Sequence, residues 1–182
     1  MTAIAVYCAS SDRIDPGYLE VATELGTELG RRGHVLVTGG GSVSMMGAVG
    51  RAARAAGGHT VGVIPRQLVA MEVADHDSDE LVLVETMRER KAEMDRRADA
   101  FVALAGGIGT FEELFEVWTA GSLGMHAKPV VVLDPDGFYR PLWDWLDQLA
   151  DRGFVRRSAL ESLLRVGTVH DALTAAETGQ VC

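Results

Sequence analysis

The sequence predicts an α/β fold: a Rossmann-like, doubly wound parallel sheet sandwiched by helices in a single domain. Short β-branched runs alternate with helical patterns along most of the chain. Those runs are apolar almost throughout instead of alternating, as suits strands buried on both faces of a parallel sheet. Small or glycine-rich turns follow three of the strands, at the edge where open α/β sheets bind ligands. At 182 residues the chain has the size of one domain with a substantial core. No repeat, low-complexity tract or linker divides it, so residues 1–182 are read as one unit.

The first strand, Ala3–Tyr7, begins almost at once, and a helix over Pro16–Arg32 follows it. Gly33 then stands where a left-handed C-cap is wanted, before a second strand at His34–Thr38. A helix over Ser44–Ala56 ends in Gly57-Gly58, another C-cap signal, and leads to a strand at Thr60–Ile64. The stretch Pro65–Glu80 is a long connection, polar and acidic toward its end, of the kind that serves as a lid or binding loop. A strand at Leu81–Val84 precedes a helix over Thr86–Ala98, which Thr86 and Glu89 open as a capping box. The pattern then repeats: strand Ala100–Leu104, helix Thr110–Leu123, strand Pro129–Leu133, helix Tyr139–Arg152 closed by Gly153. A last strand at Leu163–Val166 and a helix over Thr168–Thr178 complete the series.

Composition narrows the function. Hydrophobic residues make up 47% and charged residues 24%, as in ordinary globular proteins. No apolar run approaches the ~20 residues of a membrane helix. The N-terminal segment lacks the basic region and cleavage site of a signal peptide, so the cytoplasm is the expected location. A formal net charge of -9 argues against a nucleic-acid partner, which requires clustered cations. Cys8 and Cys182 sit near opposite ends and predict no disulfide framework. The histidines (34, 59, 76, 126 and 170) are scattered without ligand spacing, so no metal is expected.

Chemistry points to the turns Cys8-Ala9-Ser10-Ser11, Gly39-Gly40-Gly41-Ser42 and Ala105-Gly106-Gly107-Ile108-Gly109-Thr110. No G-K-[ST] follows either glycine loop, and the GxGxxG spacing of dinucleotide folds fails, so NAD is not supported. A glycine loop entering a helix N-terminus suits a terminal phosphate, and a tight turn without ligand is the alternative for either loop alone. With Thr110 as N-cap, T-F-E-E reads as a capping box that accounts for Glu113 structurally. Glu112 reads as a solvated first-turn acid. Upstream, Met87, Arg90, Lys91 and Met94 share one helical face. Turned toward the sheet edge, that stripe would bury two cations needing anionic partners. Turned outward, it would be an exposed helix with a Glu93–Arg97 pair.

Taken together, Met87-Arg-Glu-Arg90-Lys91, Ala105-Gly-Gly-Ile-Gly-Thr110-Phe-Glu-Glu113 and Gly39-Gly-Gly-Ser-Val-Ser-Met-Met-Gly47 resemble the LOG ("Lonely Guy") family of cytokinin-activating enzymes over nearly the whole chain. The resemblance implies a phosphoribohydrolase without a cofactor, cleaving the N-glycosidic bond of N6-substituted adenosine 5'-monophosphates to free base and ribose 5-phosphate. It assigns catalysis to Arg90 and Glu113, and phosphate binding to Gly107, Gly109 and Thr110. Lys91 and Thr119 would help to bind the nucleotide, and Gln67 would lie near the base. Met87, Gly106, Ile108, Glu112, Gly41 and Ser42 complete the substrate-binding set. The partners implied are an AMP-type nucleotide and a second copy in a homodimer, with no nucleic acid and no membrane. Trp118, Trp143 and Trp145 read as core or interface anchors. The label "lysine decarboxylase", often attached to these proteins, finds no lysine placed for a pyridoxal phosphate Schiff base. The chain departs from the family pattern in three places: Ala105 replaces a proline, Ser44 a glycine, and Gln67 an acid of the plant members. A non-catalytic carrier of a nucleotide or phosphorylated cofactor, and a nucleosidase acting on plain AMP, are the alternative functions.

Overall fold

The computed structural model describes residues 1–69 and 74–181. Seven strands are present among them: β1 (Ala3–Tyr7), β2 (Val35–Thr38), β3 (His59–Pro65), β4 (Glu80–Val84), β5 (Ala100–Ala103), β6 (Val130–Leu133) and β7 (Leu163–Val166). They form one sheet in the order β4-β3-β2-β1-β5-β6-β7, with every pairing parallel. The helices are α1 (Pro16–Arg31), α2 (Ser44–Ala55), α3 (Met87–Arg97), α4 (Ile108–Ser122), α5 (Arg140–Asp151), α6 (Arg157–Glu161) and α7 (Val169–Thr178). None is long and apolar enough to cross a membrane.

The two-residue period of each strand sends alternate side chains to opposite faces. Ile4 and Val6 of β1 pack with Leu25 and Leu29 of α1, Val49 of α2 and Leu173 of α7. Ala5 and Tyr7 pack with Met94 of α3, Leu114 and Trp118 of α4, Leu146 of α5 and Leu160 of α6. A sheet covered on both sides needs strands that are apolar throughout, which is the pattern the sequence carries.

The chain winds outward from β1 to β4, then crosses back to lay β5 on the other side of β1. That reversal is the switch point of a doubly wound sheet, and it opens a crevice between the carboxyl ends of β1 and β5. Gly33, Gly57 and Gly153 adopt φ of 68°, 86° and 79°, the left-handed C-terminal turns expected of them.

Three features differ from the sequence expectation. Residues 157–161 form α6, held by Leu160 in the core and by the Trp118 Nε1–H donating to Ala159 O at 2.7 Å. Within the long connection, Arg66–Leu68 form a 3₁₀ turn, and Asp75 N–H donates to Gly40 O at 2.8 Å. The end of this connection is thus tied to the glycine loop after β2; residues 70–73 and Cys182 lie outside the described residues. The third difference lies at the start of α4, inside the candidate site.

Candidate active site

A cavity of about 260 Å³ opens at the switch point. Its walls are the β1 turn Cys8–Ser11, Met46 of α2, Met87 and Arg90 of α3, and residues 107–110, Glu112 and Glu113 of α4. The crossover thus brings together segments far apart in sequence.

The start of α4 corrects the expected capping box. The helix begins at Ile108, with Gly107 as N-cap in extended backbone (φ -98°, ψ -153°) and without a side-chain cap hydrogen bond. Thr110 is the third helical residue, not the cap, so Glu113 lies a turn deeper than capping requires and T-F-E-E forms no box. Thr110 instead turns inward, 4% exposed, against Gly106: a Cβ at Gly106 would come within 2.1 Å of Thr110 Oγ1. A buried threonine on a glycine seat outweighs the roughly 1 kcal/mol of a surface cap. The N-termini of α1, α3 and α7 are each closed by an Asp or Thr side chain. That of α4 offers N–H groups and the positive end of the helix with no acid in its first turn.

Helix α3 opens with half of the expected box, Glu89 N–H donating to Thr86 Oγ1 at 3.1 Å while the Glu89 carboxylate accepts from Glu85 N–H at 2.7 Å, and its side chains diverge. Arg90 is 4% exposed; its Nη2 donates to Gly39 O at 2.7 Å and its Nε to Val63 O at 3.2 Å. Those carbonyls belong to the turn directly after β2 and to β3 itself, so the sheet and its edge seat the guanidinium at the cavity. Gly39 is the opening for it, since a Cβ there would lie 2.0 Å from Arg90 Nη2. Lys91 instead bonds Glu112 at 2.5 Å and Glu116 at 2.6 Å, both of which raise its pKa. It lines a second cavity of about 200 Å³ between α3 and α4. The outward face also carries the expected Glu93–Arg97 pair, at 2.6 Å.

Glu113 lines both cavities. Its field reaches the end of β1: burial first, then the Glu113 charge, push the Cys8 thiol and the Tyr7 phenol well above their ordinary pKa values. Of the expected site residues, the cavity gathers Met87, Arg90, Gly107, Ile108, Gly109, Thr110, Glu112 and Glu113. Gly106 underlies Thr110. Gly41 and Ser42 follow the Gly39 carbonyl that holds Arg90, and Gly41 N–H contacts Met46 Sδ at 3.1 Å. Gln67 is exposed on its 3₁₀ turn and is not part of the cavity wall. Thr119 opens onto a separate groove of about 470 Å³ beside Trp118 and Trp145. The reading of the sequence left Cys8, Ala9, Ser10, Ser11 and Met46 out of the site residues; their signal was the convergence of the β1 turn with the glycine loops. Among the described residues no group of three or more His, Cys, Asp or Glu is placed to hold a metal ion.

The family model described as "Possible lysine decarboxylase" matches residues 46–176. A Mycobacterium marinum protein named cytokinin riboside 5'-monophosphate phosphoribohydrolase is 55% identical over 97% of this chain and 94% of its own length. A Mycobacterium tuberculosis protein of the same name is 54% identical over 94% and 91%. The rice phosphoribohydrolase LOG is 45% identical over 92% of this chain and 69% of its own. Among solved structures, the molybdenum cofactor binding protein of Rippkaea orientalis superposes with a TM-score of 0.73 at 22% identity, covering 97% of this chain and 96% of its own. A molybdenum cofactor carrier protein of Chlamydomonas reinhardtii gives 0.71 at 23%, with the same coverage. At that identity the two structures speak to the fold alone. With a matching model over most of the chain and relatives near half identity spanning almost the entire sequence, the chain belongs to the LOG family.

Proposed function

We propose that the chain hydrolyses the N-glycosidic bond of N6-substituted adenosine 5'-monophosphates, such as a cytokinin riboside 5'-monophosphate, releasing free base and ribose 5-phosphate. The observation that carries the reading is one cavity lined by an uncapped helix N-terminus, by Glu113 a turn further along α4, and by the buried side chain of Arg90. The relatives' names supply the reaction.

The phosphate sits on the first turn of α4, where N–H groups and the helix dipole favour an anion. From Thr110 to Glu113 the helix rises ~4.5 Å, the scale on which a ribose separates its phosphate ester from its anomeric carbon. Water adds to C1', the C1'–N9 bond breaks, and its electron pair leaves with the base, which takes up a proton. Glu113 orients the water, accepts its proton and stabilises positive charge developing on the sugar. Arg90 carries a guanidinium, a group that does not give up its proton in proteins, and acts electrostatically. The phosphate supplies binding energy remote from the reacting bond.

Pyridoxal phosphate chemistry, which the family model's description would imply, does not fit. The chain's two lysines are Lys91 and Lys128; the first is held by Glu112 and Glu116 and the second by Asp95 at 2.9 Å, and neither lines the cavity.

The protein acts as a cytoplasmic homodimer in this reading. Support for the dimer comes from the groove at Thr119 and its surroundings, where Trp145, Phe154, Leu123 and Met125 are exposed, an apolar surface suited to a second copy.

Incubation with AMP and with isopentenyladenosine monophosphate, followed by detection of free base, tests the reaction. Release of base from the second alone supports the proposal, release from both makes the enzyme a general AMP nucleosidase, and binding without release makes it a carrier. Glu113→Gln is expected to retain nucleotide affinity and lose at least about 100-fold in turnover. Near-normal turnover would remove Glu113 from the chemistry.

A further inference from the structure

Ser44 is the one non-glycine residue with positive φ among the described residues, at 51°. L-residues other than Asn and Asp seldom occupy this left-handed region, and the family motif has glycine at the position. The side chain that replaces it makes a specific contact: Ser44 Oγ donates to Ser11 O at 2.7 Å. Ser11 closes the β1 turn, one wall of the cavity whose other walls include the N-terminus of α4.

That turn is held from two sides. Toward β5, Ala9 N–H donates to Ala105 O at 3.1 Å, a backbone bond available to any sequence. Toward α2, the Ser44 bond depends on a hydroxyl at that position. The Ser11 hydroxyl turns the other way along the chain, accepting from Arg13 N–H at 3.3 Å.

We infer that Ser44 is a positioning residue: its hydroxyl straps the β1 turn to the start of α2 and thereby sets the width of the nucleotide cavity. The inference rests on the nucleotide reading above. In a cavity bounded by that turn and by α4, releasing the strap widens the gap across which the nucleotide is gripped. The effect falls on binding and leaves Arg90 and Glu113, which are seated by other elements, in place for the chemistry.

Ser44→Gly and Ser44→Ala separate this role from a structural one. Both remove the bond, but only glycine relieves the left-handed backbone. With isopentenyladenosine monophosphate, both variants are expected to raise KM about five- to tenfold, as loss of one hydrogen bond allows, with kcat within about twofold of wild type. Thermal midpoints should split, Ser44→Gly equal to or above wild type and Ser44→Ala below it. KM within about twofold of wild type in both variants, or KM that follows the thermal midpoint, overturns the inference. If the wild-type protein cleaves no nucleotide, the proposed function fails, and AMP affinity measured calorimetrically decides the strap. A five- to tenfold weaker Kd in both variants supports it; unchanged Kd, or no AMP binding by the wild type, overturns it.

Discussion

Replacing Gly39 by alanine tests the seat of Arg90 without removing any functional group. Gly39 has no left-handed φ, so the substitution adds one methyl group and little backbone strain. That methyl carbon would lie 2.0 Å from Arg90 Nη2, 2.8 Å from Cζ and 3.0 Å from Nε. Restoring an ordinary contact of 3.4 Å moves the nearest nitrogen by about 1.4 Å. The guanidinium can give way only toward the cavity it lines, at the expense of its bonds to the Gly39 and Val63 carbonyls. A displacement of ~1 Å at a catalytic group costs about 100-fold in rate, or ~2.7 kcal/mol of transition-state stabilisation.

Weakening charged hydrogen bonds that contribute ~1.5–3 kcal/mol each should also cost about 2 kcal/mol of stability. For a domain of this size that lowers the thermal midpoint by ~4–8 °C. Base release under saturating nucleotide, nucleotide affinity by calorimetry and a thermal scan read the three quantities separately. The expected pattern for Gly39→Ala is a folded protein with near-normal affinity, a modest loss of stability and a turnover lower by about two orders of magnitude. Turnover within about threefold of wild type would refute the assignment of Arg90 to the reacting end of the substrate, whatever the stability.

Gly106→Ala acts instead on the phosphate end: its methyl would meet Thr110 Oγ1 at 2.1 Å and Thr110 Cβ at 2.6 Å. Displacing the first turn of α4 should raise the inhibition constant for ribose 5-phosphate about tenfold or more, and an unchanged constant would place the phosphate elsewhere. Glu93, bonded to Arg96 and Arg97, has its pKa lowered from 4.5 to about 2. Its stabilisation is complete above the unfolded value and is lost as pH falls from 4.5 toward 2. The difference in urea midpoint between wild type and Glu93→Gln should therefore be larger at pH 6 than at pH 3. Because Arg96 is exposed and solvent-screened, most of that difference should persist in an Arg96→Ala background.

Local signals located what local physics controls. Continuous apolar runs marked the strands, and glycines marked helix ends because only they relax easily at positive φ. At Thr86 the signal holds in its capping half, the threonine hydroxyl accepting from Glu89 N–H. At Thr110 the same four-residue signal misleads, because the decisive partner is the bare backbone of Gly106 and the helix can begin at a glycine. Lys91 shows a related limit. Arg90 and Lys91 share a stripe on a helical wheel, yet adjacent residues point ~100° apart, enough to send one to the cavity at the switch point and the other to the cavity between α3 and α4. Thr119 lies nine residues beyond Thr110 on α4, ~13 Å along the axis. It opens onto a separate groove beside Trp118 and Trp145, a placement that depends on how α4 packs and not on a local pattern.

The placing of two glutamates so near the proposed anion site follows from which cations each meets. Lys91 takes up the charge of Glu112 at 2.5 Å and that of Glu116 at 2.6 Å, so a phosphate on α4 does not face a row of bare acids. Glu113 shares its cavity with the buried Arg90 guanidinium, which tempers its field toward the phosphate. Nearer C1', a negative charge becomes useful only as the sugar turns cationic. An acid in the first turn would oppose binding, while one far down the helix would miss the anomeric carbon. The second turn satisfies both demands, and it follows that moving the carboxylate should be as damaging as neutralising it. The aspartate substitution Glu113→Asp, which retains the charge and withdraws it by one methylene, is therefore expected to lower turnover nearly as far as Glu113→Gln.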